Sequence, residues 1–359
     1  MSEARIARLR AELSGLQDSA MLITSDHNRR YLTGFTGSAG VVLVTASEAV
    51  LFTDFRYTEQ AGAQSDGVEV VEHPTTGYYE PVAERLRRAG IERLLFEDGA
   101  VTYASYSTLA ERLAPVRLAP AGKVLEKLRA VKEPSEIAII EAAADIADRT
   151  FAHILDFIRP GAKESDIALE MEFYMRKLGA SGTSFDTIVA SGERSAMPHG
   201  VASDRIIGTG EFVTLDFGAY YRGYCSDLTR TVFVGTPTDR HREIYGIVLE
   251  AQLHALAHLK PGMNGREGDA LTRDIITRYG YGDQYGHSTG HGIGLYIHEE
   301  PRLSFSAPDS ILLPGHVVTV EPGIYIPGFG GVRIEDDVVL TDDGIKILTR
   351  SPKELIVLG

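Results

Sequence analysis

Two aspartates, Asp216 and Asp227, sit inside apolar, β-prone sequence in VTLDFGAYYRGYCSDLTRTVFV, residues 213–234. A carboxylate within a buried strand is costly unless something pairs with it. In a hairpin with a symmetric turn, paired residues have a constant index sum. With the turn centred between Tyr221 and Arg222, Asp216 and Asp227 face each other, about 4.5–5.5 Å apart at Cβ. TVEPGIYIPGFGGVRIEDD repeats the arrangement, with Glu321 and Glu335 symmetric about Gly328. Asp216 precedes Glu321 by 105 residues and Asp227 precedes Glu335 by 108. Like charges directly opposite on strands repel, and four acids converging in a core do not stay ionised uncompensated. Two divalent cations would balance them, and carboxylate-held metals about 3.5–4 Å apart are a catalytic device. One such pair alone reads better as a solvated sheet edge. Two pairs at matching offsets, inside VTLDFG and VVTVEPG, point to a metal site.

A fifth donor is expected to be histidine. GHSTGHGIGLYIHEEP, residues 286–301, carries His287, His291 and His298. The i, i+4 spacing of His287 and His291 would suit a helical zinc pair. The glycines at 286, 290, 292 and 294 argue against a helix and permit close backbone approach to a ligand instead. A lone histidine is more often a packed or surface residue, but three within this short glycine-rich stretch favour a site. His199, in SAMPHG, precedes His298 by 99 residues, near the same offset.

These residues need elements to position them. Up to about residue 120 helical and strand patterns alternate: RIARLRAEL and PVAERLRRAG read as helices, and MLIT, VVLVT, AVLFTDF, VEVVEH and RLLFE as strands. The alternation predicts an α/β domain with a mostly parallel or mixed sheet. The Pro- and Gly-broken segment 118–136 marks the boundary, giving domains 1–125 and 126–359. A long apolar-periodic helix is expected over 134–158. TFAHILDFIRPGAKESDIA, 150–168, resembles QLHALAHLKPGMNGREGDA, 252–270, with Arg159 and Lys260 101 residues apart. Each is a helix ended by basic-Pro-Gly and followed by a polar turn into a second helix. The second domain thus reads as an internal duplication, each half ending in an acidic hairpin.

The bulk properties narrow the function. The 359 residues are 43% hydrophobic and 24% charged, an ordinary soluble composition. The net charge of −14 disfavours a nucleic-acid partner. The single cysteine, Cys225, excludes an intrachain disulfide and fits a reducing compartment. MSEARIARLRAELSGL has no apolar core of a secretory signal, and no apolar run is long enough for a membrane span. A cytoplasmic protein acting on a small molecule is expected. Asp216-Phe217-Gly218 spells DFG without the other kinase motifs. No phosphate-binding glycine loop or HExxH helix accompanies it.

LDFGAYYRGYCSDLTRT, GHSTGHGIGLYIHEEP, VVTVEPGIY and GVRIEDDVVLT resemble the signature blocks of proline-specific metallopeptidases, the Xaa-Pro dipeptidases (prolidases) and Xaa-Pro aminopeptidases. KEPSEIAIIEAA, YLTGFTGSAG and TDFRYTEQA extend the resemblance over most of the chain. It implies a creatinase-N-like α/β N-terminal domain and an α+β pita-bread (creatinase/aminopeptidase-like) catalytic domain with a pseudo-twofold repeat. It also implies that Asp216, Asp227, His291, Glu321 and Glu335 hold two metal ions, with Asp227 and Glu335 bridging. By the same resemblance His199, His287 and His298 surround the substrate carbonyl and proline, and Arg333 lies near the metal shell. Ser288 departs from the family's usual glycine, adding a Cβ beside His287. The family usually forms homodimers.

The expected chemistry is hydrolysis of an Xaa-Pro bond by a metal-bridging hydroxide. His298 or His199 would stabilise the oxyanion, and Glu321 would shuttle the proton to the leaving nitrogen. Four carboxylates and one imidazole suit manganese, with cobalt, iron or zinc as alternatives. The substrate is a small peptide with proline second. The compact N-terminal domain favours a dipeptidase over an aminopeptidase acting on longer peptides. A non-catalytic pita-bread binding protein is the alternative of another class, disfavoured because all five donors are present.

Overall fold

The computed structural model describes residues 2–13, 19–307 and 311–359. Met1 and 14–16, the ends of the amphipathic N-terminal stretch, lie outside the described residues. The chain divides into two compact units, Met1–Arg129 and Ala130–Gly359.

In the first unit, strands β1 (Ser19–Ile23), β2 (Val41–Val44), β3 (Ala49–Thr53), β4 (Glu69–Glu72), β5 (Arg93–Phe96) and β6 (Arg117–Pro120) form one sheet, ordered β4-β3-β2-β1-β5-β6. The helices are α1 (Ser2–Leu13), α2 (Asp26–Thr33), α3 (Thr58–Gln64), α4 (Tyr79–Arg88), α5 (Tyr103–Arg112) and α6 (Val124–Ala130). The sheet is mixed: β1, β2 and β3 are antiparallel neighbours, while β4, β5 and β6 join in parallel. Its apolar face buries Leu43, Phe52 and Leu94 with Val82 and Leu86 of α4. The strand β6 and helix α6 occupy the segment whose Pro and Gly suggested only a connection. β6 is an edge strand, where Pro120 need not donate to a ladder.

The second unit opens with α7 (Pro134–Ile154), started by a Glu133/Glu136 capping box with Pro134 at its first position. It ends four residues before the expected 158. The apolar period runs on because Ile158, though outside the helix, is 3% exposed in the same core. There follow α8 (Glu164–Lys177), β7 (Gly182–Thr183), β8 (Ile188–Ser191), β9 (Glu211–Phe217), β10 (Ala219–Tyr221), β11 (Tyr224–Cys225) and β12 (Leu228–Val234). The second half has α9 (Asp239–His258), α10 (Gly265–Arg278), β13 (Gly290–Gly292), β14 (Glu299–Leu303), β15 (Val317–Val320), β16 (Gly323–Ile326), β17 (Gly330–Arg333), β18 (Asp336–Leu340), β19 (Ile345–Ile347) and β20 (Val357–Leu358).

The sequence duplication is a structural one. Gly161 N donates to Ile207 O at 2.9 Å and Ile207 N to Ala162 O at 2.8 Å. Gly262 N donates to Leu312 O at 2.9 Å and Leu312 N to Met263 O at 2.8 Å, the same bonds in the other half. Both Pro-Gly glycines adopt left-handed backbone, φ +90° and +89°, which glycine takes without a Cβ penalty. They turn the chain into α8 and α10 and do not end the preceding helices, which stop earlier, at Ile154 and His258. Each half then builds an antiparallel core, β8-β9-β12 in one and β13-β15-β18 in the other.

One buried ion pair ties the two acidic hairpins to the C-terminal segment. Arg230 Nη2 meets Asp336 Oδ1 at 2.8 Å, with side chains 1% and 0% exposed. The guanidinium also donates to the backbone oxygens of Thr229, Glu335, Ser351 and Pro352. Burial pushes the Asp336 carboxyl up, but Arg230 and Lys353 outweigh it and hold it below the usual carboxylate range. Arg230→Met removes all of these bonds and is expected to cost about 3 kcal/mol, the scale of breaking a buried pair, read from urea unfolding.

Candidate active site

The first acidic hairpin is shifted by two residues from the expected register. Thr229, not Asp227, stands opposite Asp216, and Tyr221 pairs with Tyr224. The turn therefore centres on Arg222-Gly223, both with positive φ (46° and 84°), the two-residue turn whose twist suits a hairpin. Gly223 was the signal for it. A shift of two preserves the face of the sheet, so Asp216 and Asp227 remain on one side, diagonal instead of opposed. In the second hairpin Gly323 pairs with Arg333 and Val320 with Asp336. That register carries Glu321 and Glu335 opposite each other about Gly328, as the sequence suggested.

His291 lies on β13, a strand and not a helix. Its glycine neighbours are explained by contact: a Cβ on Gly290 would stand 1.9 Å from Thr319 O, and one on Gly292 2.2 Å from Glu300 O. The imidazole Nδ1 bonds Gly292 O at 3.1 Å, which leaves Nε2 facing Glu321 Oε1 at 3.4 Å and Asp227 Oδ2 at 3.7 Å. Donor atoms of Asp227, His291 and Glu335 lie within 4.8 Å of one another. Asp216, Glu321, His199, His287, His298 and Arg333 line the same cavity, of about 480 Å³. All nine candidates thus converge.

Six of the residues are held by contacts the sequence did not reveal. Arg333, 3% exposed, donates to Asp216 Oδ2 (2.5 Å), Tyr325 Oη (2.7 Å) and Thr229 Oγ1 (3.1 Å). The Tyr325 hydroxyl donates a hydrogen bond to His287 Nε2 at 2.8 Å, while His287 Nδ1 donates to Ser288 O at 2.8 Å. His287 therefore presents its ring, not a free N–H, to the cavity. Thr229 Oγ1 donates to Glu335 Oε2 at 2.6 Å and Thr319 Oγ1 to Glu321 Oε1 at 3.2 Å. Asp337 Oδ2 accepts from Asp227 N at 2.9 Å. Its one trace in the sequence is the run of three acids in IEDD.

The electrostatics show an excess of buried negative charge. Burial, reinforced by Glu335 and Asp216, pushes the Asp227 carboxyl well above its usual range. Glu335 is raised likewise by burial, Glu321 and Asp216, and burial brings Glu321 to about 8. Burial also drives His291 down to about 3 and His287 to about 4, and lowers His298. These imidazoles are neutral at pH 7 and keep a lone pair. Oδ1 of Asp216, Oδ1 of Asp227 and Oε1 of Glu335 are buried without a hydrogen-bond partner. Hydrogen bonds normally satisfy such atoms, so these oxygens fit a cation between them.

Comparison with known proteins bears on the site. The sequence pattern described as metallopeptidase family M24 matches residues 138–342, and that of the creatinase/prolidase N-terminal domain matches 5–131. The chain belongs to metallopeptidase family M24. Its fold is the pita-bread fold of that family. A solved Xaa-Pro dipeptidase from Bacillus anthracis is 55% identical, covers 100% of both chains and superposes with a TM-score of 0.97. An Xaa-Pro dipeptidase from Pyrococcus horikoshii is 40% identical over 94% of each chain. A solved X-Pro aminopeptidase from Thermotoga maritima is 40% identical, covering 95% of this chain and 97% of its own, with a TM-score of 0.89. M24 membership implies divalent metal ions, and the orphaned oxygens with the free Nε2 of His291 form a donor set that fits them.

Gly290→Ala forces β13 away from β15 and displaces His291. We expect a folded protein with activity reduced by about tenfold to a hundredfold, the scale of disturbing a site's supporting shell. Circular dichroism and turnover, measured together, check this.

Proposed function

We propose that this chain is a dinuclear-metal Xaa-Pro dipeptidase. The observation that carries the reading is the single cavity where five metal-type donors meet three histidines, in a chain resembling named Xaa-Pro dipeptidases over nearly its full length. Asp216, Asp227, His291, Glu321 and Glu335 would hold two divalent cations, with Asp227 and Glu335 shared. Manganese suits this oxygen-rich set best, and cobalt, zinc or iron are alternatives. When bound, such ions supply Lewis acidity and bring the pKa of coordinated water near 7.

The chain's own residues do the rest. His298 and His199 line the cavity, and an imidazole N–H there donates to the carbonyl oxygen as it gains charge. Glu321 takes the proton of the attacking water and hands it to the leaving proline nitrogen. That nitrogen belongs to a tertiary amide without an N–H, so the walls around it need no acceptor. Phe185, Ile188, Val201 and Ile297 supply apolar wall. Arg333 braces Asp216, and His287 closes one side with its ring. A homodimer in the cytoplasm completes the reading, supported by the family resemblance, the acidic charge and the lone buried thiol of Cys225.

The second reading, an Xaa-Pro aminopeptidase, is favoured by the likeness to the Thermotoga maritima enzyme. The deciding assay compares an Xaa-Pro dipeptide with Xaa-Pro-Yaa-Yaa, with chelator and after adding Mn²⁺. We expect metal-dependent cleavage of the dipeptide only. Efficient cleavage of the longer peptide selects the aminopeptidase, and no metal-dependent cleavage of either sinks both. Asp227→Asn should lower bound metal and reduce turnover by roughly three orders of magnitude, the upper range for losing one principal electrostatic component. Near-normal turnover of this variant in excess metal contradicts the assignment.

A further inference from the structure

We propose that Glu164 is a positioning residue that sets the place of His199 through a carboxylate staple. The proposal rests on the peptidase reading for His199's role. Glu164 is the first residue of α8 and is 0% exposed. Its Oε1 accepts from Ser191 N at 2.8 Å and Ser191 Oγ at 2.7 Å. Its Oε2 accepts from Ser203 N at 3.1 Å, from Ser203 Oγ at 2.6 Å and from Arg194. Arg194 then crosses to Val201 O with Nη2 at 2.7 Å.

One carboxylate therefore gathers both ends of the segment between Ser191 and Ser203. That segment contributes Pro198, His199 and Val201 to the cavity wall. Between the end of β8 at Ser191 and the next strand at Glu211 the segment is also held at single points, by Gly331 N to Ser195 Oγ at 2.8 Å and Ala202 N to Thr187 O at 3.3 Å, whereas Glu164 bonds both of its ends. Burying a carboxylate is unfavourable unless its lone pairs are filled, and here both oxygens are multiply bonded. The duplication supplies an internal contrast. The counterpart of Glu164, 101 residues on, is Gly265, where a Cβ would meet Arg302 O at 2.1 Å. The other half is closed by direct backbone approach, so the staple belongs to the half that bears His199.

The test is a double-mutant cycle of Glu164→Gln and His199→Ala, with Arg194→Met as a second probe of the staple. In Glu164→Gln we expect kcat/KM on an Xaa-Pro dipeptide to fall about tenfold to a hundredfold, the scale of losing partners that orient a site residue. Bound metal should be unchanged. Arg194→Met should lose less, in the same direction. The double variant should be no worse than His199→Ala alone, because residues coupled through one backbone segment are non-additive. Additive losses, or a loss tracking bound metal, overturn the proposal. Hydrogen exchange of amides 191–203 reads the staple without substrate. Faster exchange confined to that segment in Glu164→Gln supports it even if the wild-type protein cleaves no Xaa-Pro bond. Unchanged exchange overturns it.

Discussion

Mutual repulsion among buried carboxylates governs this molecule. Asp216, Asp227, Glu321 and Glu335 share one cavity, and Asp337 stands behind them against the backbone of Asp227. In a low-dielectric interior such a group either takes up protons or meets positive charge. Arg333 covers one oxygen of Asp216, while orphaned oxygens of Asp216, Asp227 and Glu335 remain. Little else in the second unit is free to vary once those oxygens must converge. The hairpins set their separation, and the strand partners set their direction.

Converging acids make a fold that would open if its frame were loose. The frame is rigid where the charge is greatest. Arg230 joins strands from both halves and the C-terminal segment through one fully buried guanidinium. Threonines at 229 and 319 each fix one oxygen of Glu335 and Glu321. β13 is pressed against β15 and β14 closely enough that only glycine fits at 290 and 292, which places an imidazole among four acids without a helix. Pre-organisation of this kind is what makes an electrostatic site effective, since its dipoles need not reorganise during reaction.

The duplicated halves solve the same geometric problem with different chemistry. The Pro-Gly turns and their return hydrogen bonds are repeated nearly bond for bond. The loops that carry His199 and His298 differ. His199's loop is gathered by the carboxylate of Glu164. The loop before His298 is held from inside by Glu299, which takes the amide of Tyr296 and pairs with buried Lys132 at 3.2 Å. A backbone repeat therefore does not enforce a side-chain repeat, and the asymmetry is concentrated at the cavity walls.

Much of this was legible in the residue order. Short β-prone runs marked five of the six strands in the first unit. The offsets of 105 and 108 residues between acids exposed the duplication, because a buried acid in a strand is expensive enough to be informative by itself. Glycine spacing around His291 excluded a helix. The register of the first hairpin was not recovered. It depended on Arg222 and Gly223 both accepting positive φ, and sequence symmetry gave a neighbouring centre. Nor could the order of residues show that Tyr325 links His287 to Arg333, or that Glu164 spans from Ser191 to Ser203. Sequence by itself determined which residues are chemically able to form the site and on what kind of element each sits, since periodicity and local backbone preference are short-range properties. Only the tertiary structure decided which hydrogen bonds orient them and which oxygens are left unpaired. Those outcomes depend on distances between segments far apart in the chain, which no local pattern encodes.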